Sequence, residues 1–305
     1  MSTNRNIFGH LIAFFTIIIW ATTFISTKIL LTGFSPVEIL FFRFVMGLII
    51  LTIVFPHRLS GMTKQQELMM AGAGLCGVTL YFLLENIALT YSLASNIAVI
   101  VSVAPFFTAL FANLFLDDEK PGTNFFIGFI TAMAGICLIS FSKGTQFSLH
   151  LIGDVLALLA AIVWALYSVL VRKISAWGFN IILTTRRIFL YGILLMLPAL
   201  PLSGFRLGLG RFQNPIYLFN IFFLGLGASA LCFVTWSVAV KLLGVVKTSV
   251  YIYAVPVITV FTSKLVLNER ITVQAAAGTA LALLGLLVSE HRSKKPADAK
   301  AKNAT

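Results

Sequence analysis

Polar residues in this chain fall in short clusters, and between the clusters run apolar stretches of about twenty residues. Crossing the hydrocarbon core of a bilayer, roughly 30 Å, takes about 20 residues of helix. The stretches that fit are about 7–31, 36–55, 68–90, 96–116, 123–141, 152–171, 181–201, 216–239, 247–267 and 272–289. They are predicted to be helices, because an isolated strand in lipid would leave its backbone N–H and C=O groups unsatisfied. The first stretch is too long for the apolar core of a cleaved signal peptide and lacks a small-residue cleavage site. It also reappears as the sixth stretch, so it is expected to remain as a span.

That reappearance is general. Gly9, Ala13, Trp20, Lys28 and Arg43 return 144 residues later as Gly153, Ala157, Trp164, Arg172 and Arg187. Leu80, Ala88 and Pro105 return as Leu231, Ala239 and Pro256. Glu119-Lys120, Gly128 and Gly135 return as Glu269-Arg270, Gly278 and Gly285. The offset drifts by a few residues, as in a duplicated unit with loop insertions. Repeats of this kind are common in transporters, where two equivalent halves move about a site between them. Each unit holds five spans, and an odd number turns the second unit upside down relative to the first.

Composition agrees with a membrane protein. Apolar residues make up 59% of the 305 and charged ones 10%, where a soluble domain carries about a quarter charged residues. The mean hydropathy is +0.99. With the N-terminus inside, fifteen of the 22 Lys and Arg residues fall on cytoplasmic ends and the tail, and seven on the other side. Positive charge concentrates on the cytoplasmic face of membrane proteins, so the net charge of +12 reads as topology. The basic residues are spread over short loops and a hydrophilic tail from His291, which gives a nucleic acid no folded basic face to grip. Cys76, Cys137 and Cys232 lie inside predicted spans and read as small buried residues, and no Cys/His cluster suggests a metal.

The paired helix starts with Trp20 and Trp164, the arginines at 43 and 187, the stretch Ser95-Asn96-Ile97-Ala98-Val99 through Ala104-Pro105, and the Pro105…Glu119 and Pro256…Asn268-Glu269-Arg270 pattern together resemble the EamA-type drug/metabolite transporters. The resemblance runs from about residue 7 to 290. It implies an all-α integral membrane protein, with ten transmembrane helices as two inverted five-helix repeats around a central cavity. The repeats would occupy 1–145 and 146–290, followed by a basic cytoplasmic tail at 291–305. The implied activity is secondary transport of small organic metabolites such as amino acids across the cytoplasmic membrane, with export the direction the family suggests. No cofactor is implied. The expected partners are a small-molecule substrate and the lipid bilayer, with protons as a candidate coupling ion. The chain would be a monomer or a homodimer with both termini cytoplasmic. A multidrug or organic-solute efflux carrier is the alternative, and a channel a more distant one.

Glu85 is the sharpest candidate in the residues themselves. An acidic side chain near a helix centre costs about 2.5–3.5 kcal/mol on insertion scales, so one that persists faces a cavity or a partner. It is either a proton carrier or counter-charge for a substrate amine, or a structural partner for an Arg or Lys. Trp20 and Trp164 lie near mid-span, away from the interfacial belts that tryptophan prefers. They read as facing walls of one substrate site, against ordinary helix packing. Thr23, Tyr81 and Tyr167 lie within a turn of these anchors and could supply hydrogen bonds. Trp236, Tyr251 and Tyr253 are weaker candidates. Arg43 and Arg187 are expected to share a structural job, Arg43 pairing with Glu38, or else to bind a substrate carboxylate. Asn96 and Lys247 open equivalent helices as a cap and a charge anchor, or as an anion site. Pro105 and Pro256 are expected to kink their helices, as gates or as static bends. The small residues at 128, 132, 135 and at 278, 282, 285 form packing stripes, between the halves or between subunits. An intramembrane enzyme finds no support. No HExxH or GxSxG motif is present, the histidines sit near span ends, and Glu85 has no second carboxylate at its depth.

Overall fold

A computed structural model describes residues 2–92, 94–117, 119–141, 151–267 and 273–290, and these are helical with no strand among them. The helices of the first part are α1 (Ser2–Leu30), α2 (Pro36–Val54), α3 (Lys64–Gly74), α4 (Tyr81–Tyr91), α5 (Ala94–Val101), α6 (Ala104–Phe115) and α7 (Thr123–Phe141). Those of the second are α8 (Leu151–Ser175), α9 (Ile181–Met196), α10 (Ala199–Leu202), α11 (Pro215–Phe222), α12 (Cys232–Leu243), α13 (Val245–Ser249), α14 (Ala254–Leu267) and α15 (Val273–Glu290). π-helical turns at Leu75–Leu80 and Phe223–Leu231 make continuous rods of Lys64–Tyr91 and Pro215–Leu243. Among the described residues, six helices are long and apolar enough to cross a membrane: Asn4–Leu30, Pro36–Val54, Lys64–Tyr91, Ile97–Phe115, Leu151–Ser175 and Pro215–Leu243. Thr123–Leu138, Val245–Ile258 and Ala276–Ser289 are shorter apolar helices. Asn268, Glu269, Arg270, Lys143, His150 and the tail with His291 lie outside the described residues, as do the side chains of Asn96 and Lys264.

Local chemistry starts these helices where they start. Ser35 accepts from the Glu38 N–H while Glu38 accepts from the Ser35 N–H, a reciprocal cap, and Pro36 occupies the first turn, where its missing N–H costs nothing. Thr63 and Gln66 repeat the device on α3. Asn180 and Asn214 cap α9 and α11.

One expectation is corrected. The predicted span 181–201 is not one helix: α9 stops at Met196, and a short α10 follows. Pro198 and Pro201 cannot donate to the carbonyls four residues back, so the ladder lapses into bonds such as Leu200 N–H to Leu197 O. The prolines at 105 and 256 each follow an interruption of the α-helical ladder within the rods Ile97–Phe115 and Val245–Ile258. Pro105 sits in the first turn of α6, after a turn in which Val103 N–H bonds to Ile100 O. Pro256 sits in the first turn of α14, after a 3₁₀ stretch at Val250–Tyr253.

Packing repeats itself between the two parts. α1 lies along α12, and α8 lies along α4; α2 packs on the π turns at Phe223–Leu231, and α9 on those at Leu75–Leu80. α7 and α15 meet most intimately. A Cβ placed on Gly128 would lie 2.5 Å from Gly285 O, and one on Gly135 would lie 2.5 Å from Gly278 O. The glycine and alanine stripes therefore face each other within one chain, and their backbones touch. Outward faces carry Ile49, Ile53, Val54, Ile130 and Leu287, all more than half exposed, as lipid contact requires.

Gly135→Val would drive a branched side chain into the backbone of α15. Overpacking of this kind costs about 1–3 kcal/mol, so thermal unfolding in detergent is expected to begin several degrees lower than in the wild type. Cys137→Val, two residues on at an exposed position, is the matched control. Identical melting of the two variants would show that the seam is loose.

Candidate functional site

Three of the chain's four tryptophans converge at one place. Trp20 of α1 and Trp164 of α8, repeat counterparts, meet edge to face with ring centroids 5.1 Å apart. Trp236 of α12 lies 5.1 Å from Trp20 and 5.9 Å from Trp164, and Tyr81 of α4 lies 4.8 Å from Trp164. Edge-to-face aromatic pairs contribute about 0.5–1.5 kcal/mol each beyond area burial, so this cluster ties α1, α4, α8 and α12 together. Trp20 donates its indole N–H to Ala228 O, 2.9 Å away, in the π turns of the second rod.

Beside the cluster is a cavity of about 40 Å³. Its wall is Ile17, Trp20, Thr23 and Phe24 of α1, Tyr81, Phe82 and Glu85 of α4, Ala98, Val101 and Ser102 at the end of α5, Trp164, Ile252 and Val255. A water needs roughly 10–15 Å³ of such space, so the cavity holds a few waters and is too small for an amino acid. Of the residues singled out in the sequence, Trp20, Thr23, Tyr81, Glu85 and Trp164 line it together. Tyr167 does not line it. That ring is buried behind Trp164, 5.0 Å from it, over Gly77, where a Cβ would strike it. Pro105 and Pro256 also stay out of the wall, but Ser102 and Val255 just before them belong to it.

Glu85 is 6% exposed and accepts a hydrogen bond from the Tyr81 hydroxyl at 3.0 Å. The i, i+4 spacing on α4 sets this contact. The charge acting on it is Arg43, which is 1% exposed and lies beyond ion-pair distance. Arg43 does not pair with Glu38. Its Nε–H donates to Ser229 Oγ at 2.9 Å, and its guanidinium lies 4.2 Å from the centroid of Phe82. Arg43 Nη2 and Trp236 Nε1 have no hydrogen-bond partner. Of these two buried donors, Arg43 is the one whose charge acts on Glu85.

Glu38 serves elsewhere, taking Arg211 Nη1–H at 2.8 Å and the Arg206 N–H at 2.9 Å. Arg187 binds Glu67 through Nε and Nη2, and Tyr191 donates to the same carboxylate. The two repeat-related arginines therefore do different jobs. One lies against Phe82 and bonds Ser229, and the other ties α9 to α3. The pairing of Arg43 escaped sequence reasoning because the nearest acid along the chain, Glu38, is claimed by a loop more than 160 residues away.

Contacts at the two ends of the bundle also differ. α1 begins beside Leu243, against which Gly9 packs, and Lys28 near its far end marks the opposite end of the bundle. At the Leu243 end, Glu119 accepts the Val245 and Val246 N–H groups (2.6 and 3.1 Å) that open α13, and it pairs with Arg172 of α8. Gly244 (φ 88°) lets the carboxylate approach, since a Cβ there would sit 2.8 Å from it. At the other end Lys28, the repeat counterpart of Arg172, donates to Leu89 O and Ser92 O at the end of α4. Lys247, considered in the sequence as an anchor or anion site, follows directly on the α13 turn that Glu119 occupies.

Comparison with known proteins places these features in a family. The model of the EamA-like transporter family matches twice, over residues 7–141 and 151–289. A protein of Archaeoglobus fulgidus named "Uncharacterized transporter" is 28% identical over 92% of this chain and 96% of its own length. Another of that name from Clostridium kluyveri is 27% identical, covering 96% of both chains. A Streptantibioticus cattleyicolor protein named "Probable terminal-alkyne amino-acid exporter" is 24% identical over 91% of this chain and 92% of its own. One solved crystal structure superposes with a TM-score of 0.72 over 92% of this chain and 96% of its own, at 21% identity, a likeness of fold.

Arg43→Met would leave Glu85 buried without its compensating charge, and an unpaired buried ion costs about 3–5 kcal/mol. The expected result in detergent unfolding is a large loss for Arg43→Met and recovery of a good part of it on adding Glu85→Gln. Strictly additive losses in the double variant would show that the two charges do not act on each other.

Proposed function

The chain belongs to the EamA-like transporter family, and from that premise we propose an alternating-access carrier that exports small ammonium-bearing metabolites, amino acids among them, across the cytoplasmic membrane. It is a multi-pass membrane protein of a family of transporters, not enzymes. The observation that carries the substrate class is Glu85, a carboxylate set in an otherwise aromatic wall of Trp20, Trp164, Tyr81 and Phe82. Aromatic faces attract a cation electrostatically, by about 2 kcal/mol or more once it is desolvated, and a carboxylate beside them fixes where the charge sits.

The architecture proposed is two inverted five-helix repeats, 1–145 and 146–290, with the tail 291–305 cytoplasmic. Three features support it: the twofold match of the family model, the reciprocal packing of α1 on α12 with α8 on α4, and the excess of positive charge on one set of ends. On this topology Glu119, Arg172 and α13 form the cytoplasmic closure, and Lys28 with the end of α4 belongs to the outer one. The seam of α7 and α15 is satisfied within one chain, which supports a monomer as the working unit. The small cavity is then a closed state, and transport requires its walls to part. Glu85 would hold either a proton or the substrate's ammonium, never both, so that protons entering would drive substrate out. The relative named as an amino-acid exporter supports both the substrate class and the direction.

The decisive assay is counterflow in proteoliposomes with labelled amino acids against an unlabelled excess. Transient accumulation of a label is expected, with Trp164→Ala reducing its initial rate at least tenfold and Glu85→Gln abolishing its response to a pH gradient. Full activity with an intact pH response in Glu85→Gln would end the coupling role. Accumulation of no amino acid would redirect the substrate class to drug-like solutes, and fast nonsaturable equilibration would indicate a channel.

A further inference from the structure

A second cavity, far roomier than the first at about 350 Å³, opens between α2 and α9. Its polar side is made by Arg58, Arg186 and Arg187, and its apolar side by leucines of α2 and α9, Leu48, Leu183 and Leu190. Arg186 is held in place by donating to Phe55 O and His57 O, which anchors the chain leaving α2. Arg187 is balanced by Glu67. The Arg58 guanidinium makes no hydrogen bond or ion pair with the described residues. Two positive charges therefore stay unneutralised at the rim.

The pocket also lies at a telling depth. It is at the same end of the bundle as Arg172, because α3 runs beside α8 there, with Gly72 next to Leu170. The α2 face outside it carries Ile49, Ile53 and Val54, 54%, 68% and 62% exposed, which face lipid. A soluble anion would use the guanidiniums and leave the leucine wall bare. An amphiphile uses both. We propose that this pocket binds an anionic phospholipid, its phosphate held between Arg58 and Arg186 and the start of an acyl chain lying along Leu48, Leu183 and Leu190. Basic pockets between membrane helices are suited to acidic headgroups, and each such cation is worth roughly fivefold in affinity. The site is separate from the aromatic cavity, since the fully buried rings of Phe44 and Phe189, 4.9 Å apart, lie between α2 and α9 above it. It does not depend on what the carrier transports.

The test is lipid retention by the intact, delipidated protein, read by native mass spectrometry and by thermal shift with phosphatidylglycerol or phosphatidylcholine micelles. Phosphatidylglycerol is expected to bind with preference, and Arg58→Gln to lower its apparent affinity about fivefold while melting like the wild type in phosphatidylcholine. Lys173→Gln, at the same end but outside the pocket, is expected to keep the full preference. Equal binding of the two lipids by the wild type would overturn the proposal, as would undiminished preference in Arg58→Gln. An equal loss in Lys173→Gln would reduce it to diffuse charge attraction. Inorganic phosphate or glycerol 3-phosphate matching the effect of phosphatidylglycerol would reassign the pocket to a soluble anion and also overturn it.

Discussion

Every backbone amide in the hydrocarbon region must find its partner inside the protein, and this constraint organises the molecule. It explains why the described chain is helical from end to end. More usefully, it explains where the helices are permitted to be irregular. The π turns at Leu75–Leu80, the 3₁₀ stretch at Val250–Tyr253 and the break around Ser102 are packed inside the bundle, and the π turns at Phe223–Leu231 bury one face while Leu226 and Leu231 point outward. Tyr81, Ile252 and Ser102, in or next to the first three, line the aromatic cavity, and Phe233, next to the fourth, packs on Trp20. Irregular backbone can persist at membrane depth only where protein shields it, so the region around the cavity is where the fold can vary its geometry.

Charge placement follows the same logic. Three carboxylates near the bundle's ends are matched by basic side chains or helix N–H groups: Glu38 with Arg211, Glu67 with Arg187, Glu119 with Arg172 and α13. Asp154, in the first turn of α8, has neither carboxylate oxygen hydrogen-bonded to the described residues. At the centre the matching is incomplete. Glu85 and Arg43 act on each other without touching, and Tyr81, Ser229 and the Phe82 ring cover part of what each lacks. A pair held apart in this way is more responsive to an incoming charge than a closed ion pair, because no direct bond has to be broken first.

The six membrane-capable helices among the described residues were legible in the sequence because a run of twenty apolar residues leaves few alternatives in lipid. Trp20, Trp164, Tyr81 and Glu85 were legible because large aromatics and an acid at mid-span contradict the usual depth preferences of those side chains. What could not be read was determined by contacts far apart along the chain. The partner of Glu38 comes from a loop at Arg206–Arg211, and the neighbours of Arg43 come from α4 and the second rod. Repeat symmetry also misled where the halves have diverged. Arg43 and Arg187 align, yet only the second has an acid within reach, since Glu67 on α3 approaches α9 and the position on the α11–α12 rod facing Arg43 is a serine. At the prolines sequence shows the residue but not the tighter turns that precede it.

The α7–α15 seam has a mechanical meaning. Backbones packed glycine to glycine leave no long side chains between them to rearrange, so the two helices have no graded series of positions to slide through. In the proposed carrier the contact would serve as a fulcrum, nearly still under small rotations of one half against the other, with displacement growing with distance from it. The parts that would swing farthest are those that do not touch the seam, α2, α9 and the connection 203–214, so a label placed there would report a rotation that a label on α7 would barely register.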